Sequence, residues 1–327
     1  MRHSAARNKA AGQAALDAFA GDVQYYLTLT PRQLPSRWFY DALGSALFEA
    51  ICELPWYRIT KTERTLLARH GREIFAHADP LSTLVELGPG SGDKLAALVG
   101  AGAARRLTVH LVDVSAAALD LATRTLAAVD TADLTVVAHE ATYERGLLDA
   151  MAGRGSAGRA LALFLGSNIG NFDSPGADAF LRGVRASLRI GDAFLIGTDL
   201  VKPERELLLA YDDPLGVTAA FNRNLLVRIN RELGADFDVS AFAHRAVWNA
   251  AESRVEMHLV AARRQHVRIP AASLELAFEA GETIWTESSY KYRPDGVVRM
   301  LERAGFRRLE QWTDEADGFA LTLVQAA

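Results

Sequence analysis

Leu81-Ser-Thr-Leu-Val-Glu-Leu-Gly-Pro-Gly-Ser-Gly92 is an almost unbroken apolar run that ends in an acid and enters three closely spaced glycines. A short apolar run bounded by turn residues predicts a strand buried on both faces. Residues 93–99 follow as an apolar helix, so the segment predicts strand, glycine turn and helix in succession. Glycines let the backbone turn tightly and let a ligand approach the main chain. In an open α/β sheet, this position lies at the carboxyl ends of the strands, where ligands bind.

The same idiom continues outward from this segment. Residues 107–113 predict a second strand, and Ser115 is placed to cap a helix over 116–129. A third strand is expected at 134–138 and a turn-rich stretch at 153–158. A fourth strand follows at 160–165. Asp173-Ser-Pro opens a helix reaching to 188, and Gly191-Asp192 turns into a strand at 193–198. Apolar strands alternating with helices predict a parallel sheet covered on both faces. Near the end, a helix over 294–304 stops at Gly305. Strands at 307–311 and 319–324 flank a loop at 314–318 as an antiparallel hairpin. Residues 201–291 follow a different pattern, with a helix over 219–233 and strands at 243–249, 254–261 and 266–269. The expected fold is therefore α/β: a Rossmann-like doubly wound sheet with a terminal antiparallel hairpin, plus a second α+β domain. The first domain is expected to comprise 62–200 and 292–327, and the second 10–61 and 201–291.

Composition excludes several function classes. Half of the 327 residues are hydrophobic and the formal net charge is −4, so a concentrated basic face for nucleic acid is not expected. Cys52 is the sole cysteine and the eight histidines include no His-Glu-x-x-His pair. No disulfide and no metal site are expected. Asp17 and Asp22 interrupt the Ala-rich start, so a signal peptide is not expected, and no run reaches the length of a membrane span. The reading is a cytoplasmic, monomeric protein.

Two cofactors compete for the glycine turn. A dinucleotide site asks for Gly-x-Gly-x-x-Gly. The spacing here is Gly-x-Gly-x-Gly, with Asp93 where the third glycine of that fingerprint would stand. This favours S-adenosylmethionine over a nicotinamide cofactor. Asp113, at the end of the second expected strand, suits ribose hydroxyls with either.

Longer segments carry a specific resemblance. They include Leu34-Pro-Ser-Arg-Trp-Phe-Tyr-Asp-Ala-Leu-Gly-Ser45, Leu54-Pro-Trp-Tyr-Arg-Ile-Thr-Lys-Thr-Glu63 and Phe164-Leu-Gly-Ser-Asn-Ile-Gly-Asn171. Gly197-Thr-Asp-Leu-Val-Lys202, Ala210-Tyr-Asp-Asp213, Gly216-Val-Thr-Ala-Ala-Phe-Asn-Arg-Asn224, Arg254-Val-Glu-Met257 and Thr286-Glu-Ser-Ser289 complete the set. With these, the chain resembles the histidine-specific N-α-methyltransferases of ergothioneine biosynthesis from about Leu34 to its end. The resemblance implies a class I methyltransferase domain, a separate substrate-binding domain, and S-adenosylmethionine-dependent trimethylation of L-histidine to hercynine.

The resemblance also implies residue roles. Gly88, Lys94 and Asp113 match cofactor-binding positions, while Tyr40 and Phe48 lie in a segment that closes over the cofactor. Members of the family carry a Gly-Asp-Phe-like step after the third strand, where an Asp contacts adenine. This chain has His139-Glu-Ala-Thr-Tyr143 instead, which leaves Thr142 and Tyr143 to supply that wall. Asn171 and Tyr211 are implied at the substrate carboxylate, Tyr57 beside the amine and ring, and Glu287 and Ser289 at the imidazole. Met257 lines the same pocket. Tyr40 or Tyr57 is expected to pass the amine proton to water, with no dedicated His or Lys base. Apart from the resemblance, each residue has a plainer reading. Tyr57 and Met257 suit a core, Asn171 a local turn, and Tyr211, Glu287 and Ser289 a polar surface. Alternatives are an N-methyltransferase acting on another amino acid such as a tryptophan derivative, a non-catalytic binder of histidine or S-adenosylmethionine, and, more distantly, a dehydrogenase.

Overall fold

Seven strands form the central sheet, in the order Phe306–Asp314, Phe319–Ala326, Ala193–Asp199, Arg159–Phe164, Leu81–Leu87, Arg106–Asp113 and Asp133–Glu140. The structure is a computed structural model. It describes residues 2–102, 106–129, 133–155 and 158–327, with side chains from residue 12 onward within those ranges. Residues 156 and 157 of the expected turn at 153–158 lie outside the described residues. Five strands run parallel, and Phe319–Ala326 runs antiparallel to both of its neighbours. The expected terminal hairpin is thus the antiparallel edge of a parallel sheet. The order reverses between Leu81–Leu87 and Arg159–Phe164, which makes that gap the switch point where an open α/β sheet binds ligands.

Hydrophobic pattern explains the layering. All seven residues of Ala193–Asp199 are buried, as are six of the seven in Leu81–Leu87. Edge strand Asp133–Glu140 has no buried residue. Helix Ser174–Ser187 covers one face with Ala177, Phe180, Leu181 and Val184, packed with Phe164, Phe194 and Leu301. Asp173 caps that helix by accepting from the Gly176 amide at 2.8 Å, and Pro175 sits in its first turn, where its missing N–H leaves nothing unsatisfied. Ser115 caps Ala116–Ala127 as expected, accepting from the Ala118 amide. Two helices of this unit were not among the expected elements: Ile59–Ala78, and Tyr143–Ala152, which Thr142 caps. The sheet and its helices occupy residues 58–202 and 290–327 as one compact unit.

The second compact unit comprises residues 1–57 and 203–289. Strands Arg32–Gln33, Thr283–Tyr290, Arg254–Ala261 and Phe242–Asn249 form a sheet in that order. Alternate residues Val255, Met257, Leu259 and Ala261 are buried, the period of a half-covered strand. Helix Val217–Leu233 packs on Phe242–Asn249 and Arg254–Ala261, and it buries Phe221, Leu225, Leu226 and Ile229. Gln265–Ile269 and Leu274–Phe278 pair as a separate antiparallel ribbon. Strands Leu274–Phe278 and Thr283–Tyr290 and helix Glu204–Tyr211 were not among the expected elements. Among the described residues, no helix is long and apolar enough to cross a membrane.

Candidate active site

In the sheet unit, the glycine turn sits at the switch point. Gly88, Gly90 and Gly92 have φ of 75°, 55° and 81°, left-handed values that disfavour any side chain. The Gly88 amide donates to the Val112 carbonyl at 2.8 Å, tying the turn to the neighbouring strand. A Cβ on Gly88 would lie 3.0 Å from Tyr143 Oη and 3.3 Å from Asn168 Nδ2. A Cβ on Gly92 would lie 2.8 Å from Ala122 Cα, whereas one on Gly90 would meet nothing within 4 Å. The turn is thus closed behind Gly92 and open at Gly90.

Charged groups surround this turn. Glu86, the acid ending the first strand, is fully buried, and neither carboxylate oxygen has a hydrogen-bond partner among the described residues. Burial pushes its pKa up to about 8; Lys94 opposes that shift, while Glu63 and Asp113 add to it. Glu63 is also fully buried. Its Oε2 accepts from the Gly166 amide at 2.7 Å and lies 3.2 Å from Lys94 Nζ. Burial raises its pKa as well, opposed mainly by Lys94. A Cβ on Gly166 would lie 2.8 Å from Lys94 Nζ, so that ammonium rests on the loop after strand Arg159–Phe164. Asp113 Oδ1 accepts from the Ser115 amide at 2.8 Å, and burial raises its pKa.

The segment after the third parallel strand divides its work. Thr142 is exposed and its hydroxyl accepts from the Arg145 amide at 3.4 Å as a helix cap. Tyr143 instead turns its hydroxyl toward Gly88, with its ring against Phe164 and Phe180. Burial, then the nearby Asp113 and Glu144, raise its pKa. Asn171 ends the short turn Asn168–Asn171 and is exposed. Asn168, which the sequence reading passed over within the same segment, is the asparagine whose amide faces both Gly88 and Gly166.

The other unit gathers the remaining candidates. Tyr40, Phe48, Tyr57 and Tyr211 form a file of ring contacts, with centroids 5.6 Å, 6.2 Å and 6.3 Å apart in succession. Tyr57 and Tyr211 are buried, and Tyr40 is exposed. Tyr211 Oη and Ser289 Oγ lie 2.8 Å apart. Burial raises the Tyr57 pKa well above its ordinary value, helped by Tyr211, Cys52, Tyr40 and Glu287. Glu287 is partly buried and stands two residues from Ser289 in one strand, so both side chains share a face. Met257 is buried, and its carbonyl lies 3.0 Å from Thr286 Oγ1. Tyr40 and Phe48, expected beside the cofactor, therefore belong to the same unit as Tyr57, Tyr211, Met257, Glu287 and Ser289, whereas Asn171, expected with these substrate readers, lies in the sheet unit.

The sequence profile of a family described as "histidine-specific methyltransferase, SAM-dependent" matches residues 19–326. The chain belongs to this family. Among its relatives, a histidine N-alpha-methyltransferase of Mycolicibacterium smegmatis is 43% identical over 319 residues, covering 97% of each chain. A second, from Mycobacterium tuberculosis, is 45% identical over 311 residues, covering 94% of each chain. An L-tryptophan methyltransferase of Psilocybe serbica is more distant, at 26% over 324 residues, covering 90% of this chain and 88% of its own. As a member of the family, the chain is a methyltransferase built on the class I sheet, with S-adenosylmethionine as its cofactor. The residues present fit that cofactor. The open left-handed turn admits a ligand, and the two bare oxygens of Glu86 are orphaned acceptors in need of a donor.

One further cluster lies apart from these residues. Ligand atoms of Glu73, His77 and Glu310 come within 4.8 Å of one another. The exposed Glu73 carboxylate already accepts from Trp312 Nε1 at 3.1 Å. Sequence alone did not pair these residues, because Glu310 comes from a distant strand.

Proposed function

We propose that the protein transfers methyl groups from S-adenosylmethionine to the α-amino group of L-histidine, three times in succession, giving hercynine. The observation that carries this reading is the grouping of Glu287, Ser289, Tyr211 and Tyr57 in one unit of a chain whose family is histidine-specific.

On this reading the sheet unit holds the cofactor. Gly88 and Gly90 give it close access to the main chain, and Asp113 accepts from ribose hydroxyls. Lys94 faces the carboxylate of its amino-acid end, and Glu86, which its raised pKa keeps protonated below about pH 8, offers an unpartnered carboxyl group that a cationic group would ionise. Tyr143 and Thr142 form the wall near adenine. When bound, S-adenosylmethionine supplies an activated methyl group on a positively charged sulfur.

The other unit orients histidine. Glu287 accepts from an imidazole N–H, and Ser289 can donate or accept at the ring. Tyr211 donates to the carboxylate, Met257 gives an apolar wall, and Tyr40 and Phe48 help exclude water. A buried acceptor left empty is costly, so this arrangement disfavours amino acids with apolar side chains. The raised pKa of Tyr57 keeps its hydroxyl protonated at neutral pH. Tyr57 therefore orients the amine and relays a proton rather than acting as an anionic base. No strong base is required, since an α-amino group has a pKa of about 8 and leaves an appreciable neutral fraction. Alignment of nitrogen, methyl and sulfur is the large term, worth roughly 7–11 kcal/mol when well achieved.

Purified protein given methyl-labelled S-adenosylmethionine with histidine, tryptophan or phenylalanine tests the proposal. Label is expected in histidine. Transfer to tryptophan with none to histidine would replace the substrate. Binding of both ligands without transfer would make the protein a non-catalytic binder.

A further inference from the structure

Four hydrogen bonds link Thr286, Asn222, His244, Tyr211 and Ser289 into a circuit closed by the strand that carries Thr286 and Ser289. Thr286 Oγ1 donates to Asn222 Oδ1 at 2.7 Å, and Asn222 Nδ2 lies 2.9 Å from His244 Nδ1. His244 Nε2 lies 2.8 Å from the Tyr211 carbonyl, and Tyr211 Oη returns to Ser289 Oγ at 2.8 Å. Thr286 and Ser289 lie in the same strand as Glu287. An amide nitrogen can only donate and a carbonyl can only accept. His244 must therefore accept at Nδ1 and donate at Nε2, which fixes it as the neutral Nε2–H tautomer.

The placement of Tyr211 gives this circuit a purpose. It is the last residue of helix Glu204–Tyr211, where the final carbonyls have no intrahelical donor. His244 supplies that donor and fixes the backbone from which the Tyr211 ring projects. Asn222 is fully buried and holds His244 from the other side, with its amide also 3.2 Å from the His258 carbonyl. All four contacts join residues far apart in sequence, and none of Asn222, His244 and Thr286 is among the residues assigned to a ligand above.

We infer that His244 is a positioning residue for the substrate site, acting through Asn222 and the Tyr211 carbonyl to hold Tyr211 and Ser289 in place for histidine. This rests on the proposed function and extends it to a residue that touches no ligand. Protonation of His244 would turn Nδ1 into a donor facing the Asn222 amide, breaking the circuit. Burial lowers the His244 pKa, which keeps it neutral near pH 7; the Tyr211 carbonyl, Asp212 and Asp213 act in the opposite direction, while Arg223 reinforces the lowering. His258, from the neighbouring strand, also interacts with it electrostatically.

The test measures histidine binding calorimetrically to protein saturated with S-adenosylhomocysteine, alongside the affinity for S-adenosylhomocysteine itself. His244→Gln is expected to weaken histidine binding tenfold or more while leaving S-adenosylhomocysteine affinity within twofold. Asn222→Asp places an acceptor opposite Nδ1, so it favours the doubly protonated ring, which still donates to Tyr211. Relative to wild type, Asn222→Asp should therefore gain histidine affinity as pH falls from 7 to 5. Taking the ratio of the two proteins removes the titration of histidine itself. Histidine affinity unchanged in His244→Gln would overturn the inference, as would a ratio flat with pH. Should His244→Gln fail to fold, the pH ratio of Asn222→Asp still decides. Wild-type protein that does not bind histidine would instead refute the proposed function.

Discussion

Replacing Gly90 and Gly92 separately with alanine should divide stability from cofactor binding. Both residues are left-handed, with φ of 55° and 81°, so each alanine meets strain of roughly 1–2 kcal/mol. At Gly92 the new methyl would also lie 2.8 Å from the Ala122 main chain, and overpacking of that kind adds about 1–3 kcal/mol. Gly92→Ala should therefore destabilise the protein by about 2–5 kcal/mol, and Gly90→Ala by only about 1–2 kcal/mol. Binding should follow the opposite order. The Gly90 methyl meets no protein atom within 4 Å, and the proposed function gives that open space to the cofactor. Gly90→Ala should weaken S-adenosylhomocysteine at least tenfold, and folded Gly92→Ala should lose less. Urea unfolding and titration calorimetry measure the two quantities. Gly90→Ala that binds S-adenosylhomocysteine as tightly as wild type would refute the assignment of that space.

Other consequences follow from the same geometry. Glu287→Gln removes a charge-assisted hydrogen bond worth roughly 1.5–3 kcal/mol, so histidine affinity should fall roughly 10- to 150-fold with cofactor affinity unchanged; a change below threefold would dismiss Glu287 as imidazole reader. Between about pH 4.5 and 8, folded Glu86 keeps a proton that the unfolded chain releases. Stability should therefore fall as pH rises through that window, by on the order of a few kcal/mol from this group. Glu86→Gln should flatten the slope, and unfolding curves at pH 5 and 8 measure it. Because the Tyr57 pKa is raised above its ordinary 10, kcat/KM should show no falling limb from its ionisation below pH 10. A tyrosine limb near pH 9 that disappears in Tyr57→Phe would contradict this.

Local chemistry made the sheet unit readable. Left-handed glycines after an apolar strand, Ser115 and Asp173 as caps, and Gly305 after the last helix each act over a few residues, and the structure bears each of them out. Helix Tyr143–Ala152 escaped because Gly146 interrupts its apolar face. That glycine is needed where a Cβ would lie 2.2 Å from Val112 Cγ1, a contact made across the fold. Thr142 also caps that helix, a role its three-residue spacing to the Arg145 amide already suited.

The other unit hid more. Strand Thr283–Tyr290 carries Thr286, Ser288 and Ser289, and its polar residues obscured its burial. Two of these find their partners in Asn222, the Met257 carbonyl and Tyr211, none of which is near in sequence. His244 likewise gave no local signal, since its bonds run to residues 22 and 33 positions away. The resemblance, rather than periodicity, pointed to Tyr57, Tyr211 and Ser289, and the structure brings those three together within one unit.

Mass spectrometry of histidine incubated with the purified protein and S-adenosylmethionine tests the central claim most directly. Products carrying one, two and finally three added methyl groups are predicted, with fragmentation locating all of them on the α-nitrogen and leaving the imidazole unmodified. Unchanged histidine, or a methyl group on a ring nitrogen, would contradict the account.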